Sequence, residues 1–348
     1  MSARLTYRNG AMSSSSVQSA GAIPSPTDAR AARGPASTTG SAQTDRETLL
    51  QFYRTAGGES WTCKDGWAES ADDLGSWHGV TTNAEGRVVK LELQGGPEPE
   101  PGGFEKGNSI IGAIPPEFGR LGALTTLHLG GNQLSGAIPP ELGQLGALEE
   151  LFLPLNQLSG PIPPELGLLR KLKGLHLMYN HLSGSVPPEL GQLSGLELLR
   201  LTSNQLSGPI PPELGQLGSL TRLVMSNNKL TGKIPPELGR LSSLRVLYLK
   251  NNNLSGEIPR ELGQLGALEH LWLSKNDLTG EIPTELGHLG ALERLHVMEN
   301  KLSGTVPPEL FRLGALEELD LRNNRLSGET CTSCALNRRV PSAIVLFV

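Results

Sequence analysis

Nine glutamates, Glu117, Glu141, Glu165, Glu189, Glu213, Glu237, Glu261, Glu285 and Glu309, recur every 24 residues, a stripe of carboxylates that invites a calcium reading. Each comes one or two residues after a proline, however, where a short helical turn opens and exposed N–H groups favour a carboxylate. The stripe therefore reads as scaffold. Cys331-Thr-Ser-Cys334 has the spacing of half a zinc site but no histidine nearby, so a cap disulfide or chance spacing is the better reading. His270 and His296 could face one another on neighbouring units, yet two ligands without a placed carboxylate or cysteine assign no metal. Phosphate-cradling glycine loops, G-x-S-x-G, H-E-x-x-H and kinase signatures are all missing, so no catalytic or cofactor-binding residue is assigned and the chain is not expected to be an enzyme. What remains is contact chemistry. Tyr248, Trp272 and His296 are 24 residues apart, with Arg222, Lys250, His270, Lys275 and Arg294 close by. Aromatic and arginine side chains gathered on one exposed face are the usual makings of a binding hot spot.

The elements that would position these side chains follow from the same period. Asparagines stand at 108, 132, 156, 180, 204, 228, 252, 276, 300 and 324 without a slip. Around each the chain reads close to LxxLxLxxNxLSGxIPPELGxL, as in Leu124-Thr-Thr-Leu127-His-Leu129-Gly-Gly-Asn132. Leu127 and Leu129 alternate with Thr126 and His128, the pattern of a strand with one face inside, and stacked units would form a parallel sheet. Asn132 follows where the chain leaves the sheet, placed to satisfy backbone groups of its own turn and of its neighbour. Gly136 permits the tight passage after it, Ile138 points inward, and the prolines leave room for only one short helical turn on the outer side. A wide outer side and a narrow sheet side would curve the stack.

A 24-residue unit of this grammar resembles the leucine-rich repeat family, and LSGxIPPELG is similar to the plant-type class of receptor-like ectodomains and polygalacturonase inhibitors. The likeness covers residues 108 to 328. It implies an α/β fold: a right-handed solenoid, horseshoe-shaped, with one parallel concave sheet and a helical N-terminal cap. The expected parts are a disordered tail at 1–44, a cap at 45–88, repeats at 89–328 with an inserted loop at about 95–107, and a C-terminal cap or tail at 329–348. The cap should open with a capping box at Thr44-Asp-Arg-Glu47, bury Leu49, Leu50, Phe52 and Tyr53, and close on Trp61, Trp67 and Trp77. The segment Trp77-His-Gly-Val80 is similar to the family's cap, but Gly75 and Thr82 stand where the resemblance would put a cysteine pair. Leu91 and Leu93 look like a first rung whose asparagine is displaced to 108 by the insertion.

Only positions that vary between units can encode a partner. On the concave face the central row reads His128, Phe152, His176, Arg200, Val224, Tyr248, Trp272, His296 and Asp320, with Glu150, Met178 and Tyr179 among its flanks. The candidate partner-binding set is Tyr248, Trp272, His296, His270, Arg222, Lys250, Lys275 and Arg294, together with His176, Tyr179, Phe152 and Arg200. Its C-terminal half is expected to be the richer in aromatic area and positive charge.

With 30 Lys plus Arg against 35 Asp plus Glu and a net charge of −5, the chain has no basic excess to meet nucleic acid. No apolar run reaches membrane-spanning length, and no signal peptide is recognisable, so a cytoplasmic place is expected, with a cell-surface, extracellular or organellar one as the alternative. The reading is a non-catalytic, monomeric module that recognises a protein or peptide on its concave face, in signalling or defence by family likeness. The alternatives are an inhibitor of an extracellular hydrolase or an ectodomain fragment of a receptor-like protein or kinase. Because the cap pair is missing, folding should not need a disulfide. The melting temperature should be the same with and without reductant, and a large drop on reduction would show a structural bridge at Cys63, Cys331 or Cys334.

Overall fold

The computed structural model describes residues 40–67, 73–94 and 107–327, and the backbone of 345–347. The expected tail up to residue 39, the insertion except Gly107, and Cys331 and Cys334 lie outside the described residues. Cys63 is a free thiol.

The cap begins with the helix Ala42–Thr55, capped by Ser41, whose hydroxyl accepts from the Thr44 N–H at 3.2 Å. It thus starts ahead of the expected capping box: Ser41 is itself a good cap, and Ala42 and Gln43 are good helix formers. Glu47 takes a hydrogen bond from Gln43 instead, at 2.8 Å. Leu49, Phe52 and Tyr53 turn inward at the i, i+3, i+4 spacing. Buried Asp45 clips the helix to the first repeat strand, accepting from Arg87 Nε at 2.8 Å and from the Val88 N–H at 3.0 Å. Trp61, Trp67 and Trp77 are buried in a chain of ring contacts, 4.9 Å between the first two and 5.0 Å between the last two. Two of the indole N–H groups find carbonyls, Trp61 that of Ala56 and Trp67 that of His78.

The expected parallel sheet runs the length of the array. It has 12 strands, starting with an antiparallel pair, Val80–Thr82 and Val88–Glu92. Parallel strands follow at one per rung, from Thr126–His128 to Glu318–Asp320, and then Val345–Phe347. Leu91, Leu127, Leu151 and their successors pair in register and are buried. A second sheet of eight short parallel strands, Ile111–Gly112 to Asp277–Leu278, stands beside it. Six of its strands are x-Leu-Ser-Gly or x-Leu-Thr-Gly segments such as Gln133–Gly136, whose alternation is at most four residues long and is hidden in the sequence by the glycine that ends it, at φ +78° in the case of Gly136. Between sheets each rung makes a five-residue 3-10 turn, such as Pro140–Gln144, and the turns stack so closely that a methyl group on Gly143 would collide with the Glu165 carbonyl oxygen.

Every ladder asparagine serves two rungs. Asn204 Oδ1 accepts from the Leu182 N–H at 3.0 Å, while Nδ2 donates to the carbonyls of Leu177 in the preceding rung at 2.9 Å and Leu201 in its own at 3.1 Å. In the first rung Asn108 does the same work across the insertion, exchanging hydrogen bonds with the backbone of Cys63. Replacing Asn204 by alanine leaves the buried Leu182 N–H without its acceptor and removes one of the two side-chain donors from each of the Leu177 and Leu201 carbonyls, which keep Asn180 and Asn228. We expect Asn204→Ala to cost about 1–3 kcal/mol in thermal or urea unfolding, and a melting curve matching the wild type would contradict the ladder's structural role.

Candidate functional site

The outward side chains of the long sheet stand in rows because the strands pair in register: Val224 faces Tyr248, Tyr248 faces Trp272, and Trp272 faces His296. Tyr248 and Trp272 stack with centroids 4.0 Å apart and planes at 11°, and His296 continues the stack at 5.2 Å and 10°. His270 holds the free end of the tyrosine, its Nδ1 2.8 Å from the Tyr248 hydroxyl. The rings form a fixed, half-buried wall. Burial raises the Tyr248 hydroxyl above its usual pKa, though Arg294 and Arg222 oppose it.

The basic side chains of the expected set divide into two groups. Lys275 lies 3.5 Å from Glu299, Arg294 3.6 Å from Glu318, and His270 and His296 lie 3.4 and 3.0 Å from Glu293 and Glu318. The positive charge of Lys275 and Arg294 in the C-terminal half, expected to be the richer in such charge, is therefore matched by carboxylates on the next rung. Arg200, Arg222 and Lys250 make no ion pair within 4 Å among the described residues, and all three line a cavity of about 420 Å³ on the same face. Its wall is Tyr248 and Trp272, with Met178 and Tyr179 at its other end. Val224 and Val246 supply apolar lining, while Thr202 and Ser226 each present a buried hydroxyl with no hydrogen-bond partner. Burial and neighbouring Arg222 hold Arg200 below the ordinary guanidinium pKa, with Glu150 opposing. Sequence reasoning missed Thr202 and Ser226. Their one signal is that they stand two residues before the ladder asparagine, where the row changes from Gly130, Pro154 and Met178 to hydroxyls.

Tyr179 is 43% exposed and has a left-handed φ of 57°, as do most residues preceding a ladder asparagine. Phe152 lies between the rings of His128 and His176. His176 was expected to face solvent and does not: it is only 6% exposed. Gly174 offers no side chain to prop the ring up, so it settles over that glycine between Phe152 and Arg200. Asp320 is likewise buried, gripped by Arg322 at 2.7 Å. Among the described residues no cluster of three or more His, Cys, Asp or Glu could hold a metal, and no helix is long and apolar enough to cross a membrane.

The leucine rich repeat family matches residues 218–278 and, repeat by repeat, 123–145, 171–193, 195–217 and 315–336. The structure is similar to the ectodomain of the plant membrane receptor kinase GASSHO1/SCHENGEN3 from Arabidopsis thaliana, solved with Casparian strip integrity factor 2, at 38% identity and a TM-score of 0.78 over 87% of this chain. It is also similar to a plant ice-binding protein, at 30% identity and a TM-score of 0.69 over 83% of this chain and 89% of that one. The chain belongs to the leucine-rich repeat family. A third similar structure is the ectodomain of the Arabidopsis receptor kinase HAESA in complex with an N-terminal extended IDA peptide hormone ligand, at 33% identity and a TM-score of 0.63 over 82% of this chain. This leucine-rich repeat chain spans 35% of the length of the first receptor structure and 50% of the HAESA one. No curated protein sequence matches it. The expected cytoplasmic place finds no support in these relatives, since both receptor structures are ectodomains.

One titration on this face has a clear sign. Burial pulls His176 down to about 4, with the charges of Arg200 and His128 acting in the same direction. Its folded pKa lies below the unfolded value near 6.5, so the unfolded chain binds more protons between those limits and stability falls as pH drops from about 6.5 to 4. Glu150, pushed up by burial and Glu197, works against this near the lower end. We expect His176→Gln to remove roughly 3 kcal/mol of acid sensitivity over that window, read as the difference between wild-type and variant urea-unfolding curves at pH 7 and pH 4. An unchanged difference would place His176 in a solvated position.

Proposed function

We propose that the protein recognises an extended peptide along the exposed face of its long sheet, and that the cavity lined by Arg200, Arg222 and Lys250 takes an acidic group of that peptide. One observation carries the reading: three unpaired cations surround two partnerless hydroxyls beside a rigid aromatic wall. Each cation lacks the counter-charge its neighbours have found, and buried hydroxyls without partners are costly until a ligand supplies one. A carboxylate, with several acceptor sites, satisfies both deficits at once. Tyr248 and Trp272 would add apolar contact with the adjoining residues.

The role is binding without catalysis. Relatives that are receptor ectodomains, one of them with a peptide hormone, support a part in signalling or defence at a cell surface. The ice-binding relative shares the scaffold over nearly its whole length, so the side chains on the face, and not the fold, decide the ligand. The reading of a hydrolase inhibitor has no observation of its own.

The test uses peptides selected from a random twelve-residue display library on the full chain. We expect enrichment in Asp or Glu, and for one selected peptide we expect Trp272→Ala and Arg222→Ala each to weaken binding about thirtyfold, the size of a hot-spot loss of about 2 kcal/mol, with the melting temperature unchanged. Selected peptides without acidic residues, or affinity indifferent to both substitutions, would refute the assignment.

A further inference from the structure

The N-terminal half of the same face holds a second constellation that the cavity does not use. Phe152 presents its ring between His128 and His176, 5.2 and 5.1 Å away. Beside it the Glu150 carboxylate and the His176 ring converge over Gly174, where a side chain would strike both. The Glu150 carboxylate has no hydrogen bond and no Lys or Arg ion-pair partner among the described residues. The nearest lysine on the next rung, Lys173, is held at 2.7 Å by Glu149. The contact with His176 Nε2, at 3.7 Å, is beyond hydrogen-bonding reach.

His176 supplies an independent sign that something is missing. It is 6% exposed, and its Nδ1 is buried with no hydrogen-bond partner. Kept neutral by its burial at pH 7, it neither neutralises Glu150 nor repels a cation. The Glu150 carboxyl is raised by burial and by Glu197, and Lys173 and Arg200 oppose this only from a distance, neither forming an ion pair with it. A half-buried carboxylate, an aromatic face and a neutral imidazole with an unpartnered ring nitrogen in one place are the elements that hold an ammonium or guanidinium group.

Resting on the peptide reading above, we infer that Glu150, Phe152 and His176 form a subsite for a cationic side chain, lysine or arginine, of the same peptide that places an acidic group in the cavity. The strand Glu150–Phe152 lies three strands from Arg222–Val224. At strand spacing that is about 14 Å, the reach of roughly four extended residues. The ligand is then a peptide of mixed charge, with its cation toward the N-terminal rungs and its acid toward the middle.

Parallel display selections on the wild type, Glu150→Gln and Arg222→Ala separate the two claims. Wild-type selections should carry Lys or Arg about four positions from Asp or Glu. Selections on Glu150→Gln should lose the cation and keep the acid, and those on Arg222→Ala should do the reverse. For one wild-type-selected peptide, Glu150→Gln should lower affinity about tenfold, a typical loss for one partner of a charged contact at an exposed interface. Replacing the peptide's lysine by norleucine should abolish the difference between the two proteins. Phe152→Leu serves as the second variant if Glu150→Gln unfolds, and it should give the same loss of cation preference. Acidic selections with no cation, or a lysine preference unchanged by both variants, overturn the cationic subsite while leaving the anionic cavity standing. Absence of acidic enrichment refutes the cavity assignment first, and this inference with it.

Discussion

One buried side-chain amide per rung carries the array. Each ladder asparagine closes its own turn and reaches back to the rung before it, so a rung is complete only when its neighbour is in place. The leucines obey the same rule: fully burying one contributes about 2 kcal/mol, but only against the next rung's leucines. Because the stacking must repeat at strand spacing, the chain cannot lengthen a rung where the ladder passes. It absorbs twelve extra residues only between Leu93 and Asn108, where Asn108 can still meet the cap at Cys63. The cap answers the same requirement from the other side, offering the first rung an aromatic cluster and the Asp45 clip in place of a preceding repeat.

So strict a scaffold leaves few positions free to vary from rung to rung, and those that carry aromatic rings face outward from the long sheet. In-register pairing turns variation into rows, and rows decide which charges meet. Where a cation on one rung is followed by a carboxylate on the next, as in Lys275–Glu299 and Arg294–Glu318, the charge is spent inside the protein. Where it is followed by an uncharged side chain, as Arg200 is by Val224 and Arg222 by Val246, it stays available, and at Arg200 burial makes the lack of a partner more costly. The face is therefore not uniformly sticky. Its free charge is concentrated in the middle, beside rings already locked against one another.

The period, the parallel sheet, the outer helical turns and the aromatic cap could all be read from the sequence, because each repeats at fixed spacing or follows from local stereochemistry. The second sheet was hidden because four residues are too few to display an alternation. The start of the cap helix was misplaced because Ser41 and Thr44 are both competent caps, and tertiary contacts through Asp45 favour the earlier one. For the recognition face, the row of Tyr248, Trp272 and His296 was visible, since spacing alone aligns it. What the sequence could not disclose was which cations are neutralised, for that depends on side-chain reach between rungs. Nor could it show that His176 lies down over Gly174, which needs the absence of a side chain on the same strand to be combined with its neighbours' bulk.

An acidic group entering the cavity among Arg200, Arg222 and Lys250 would offset the charge that the protein itself leaves unmatched. A crystal structure of the full chain with a display-selected peptide tests it most directly. The account requires a peptide carboxylate within hydrogen-bonding distance of Arg222 or Lys250 and of the Ser226 hydroxyl, with the peptide crossing the long sheet. A peptide bound on the second sheet or the outer turns, with the cavity filled only by solvent, would contradict it.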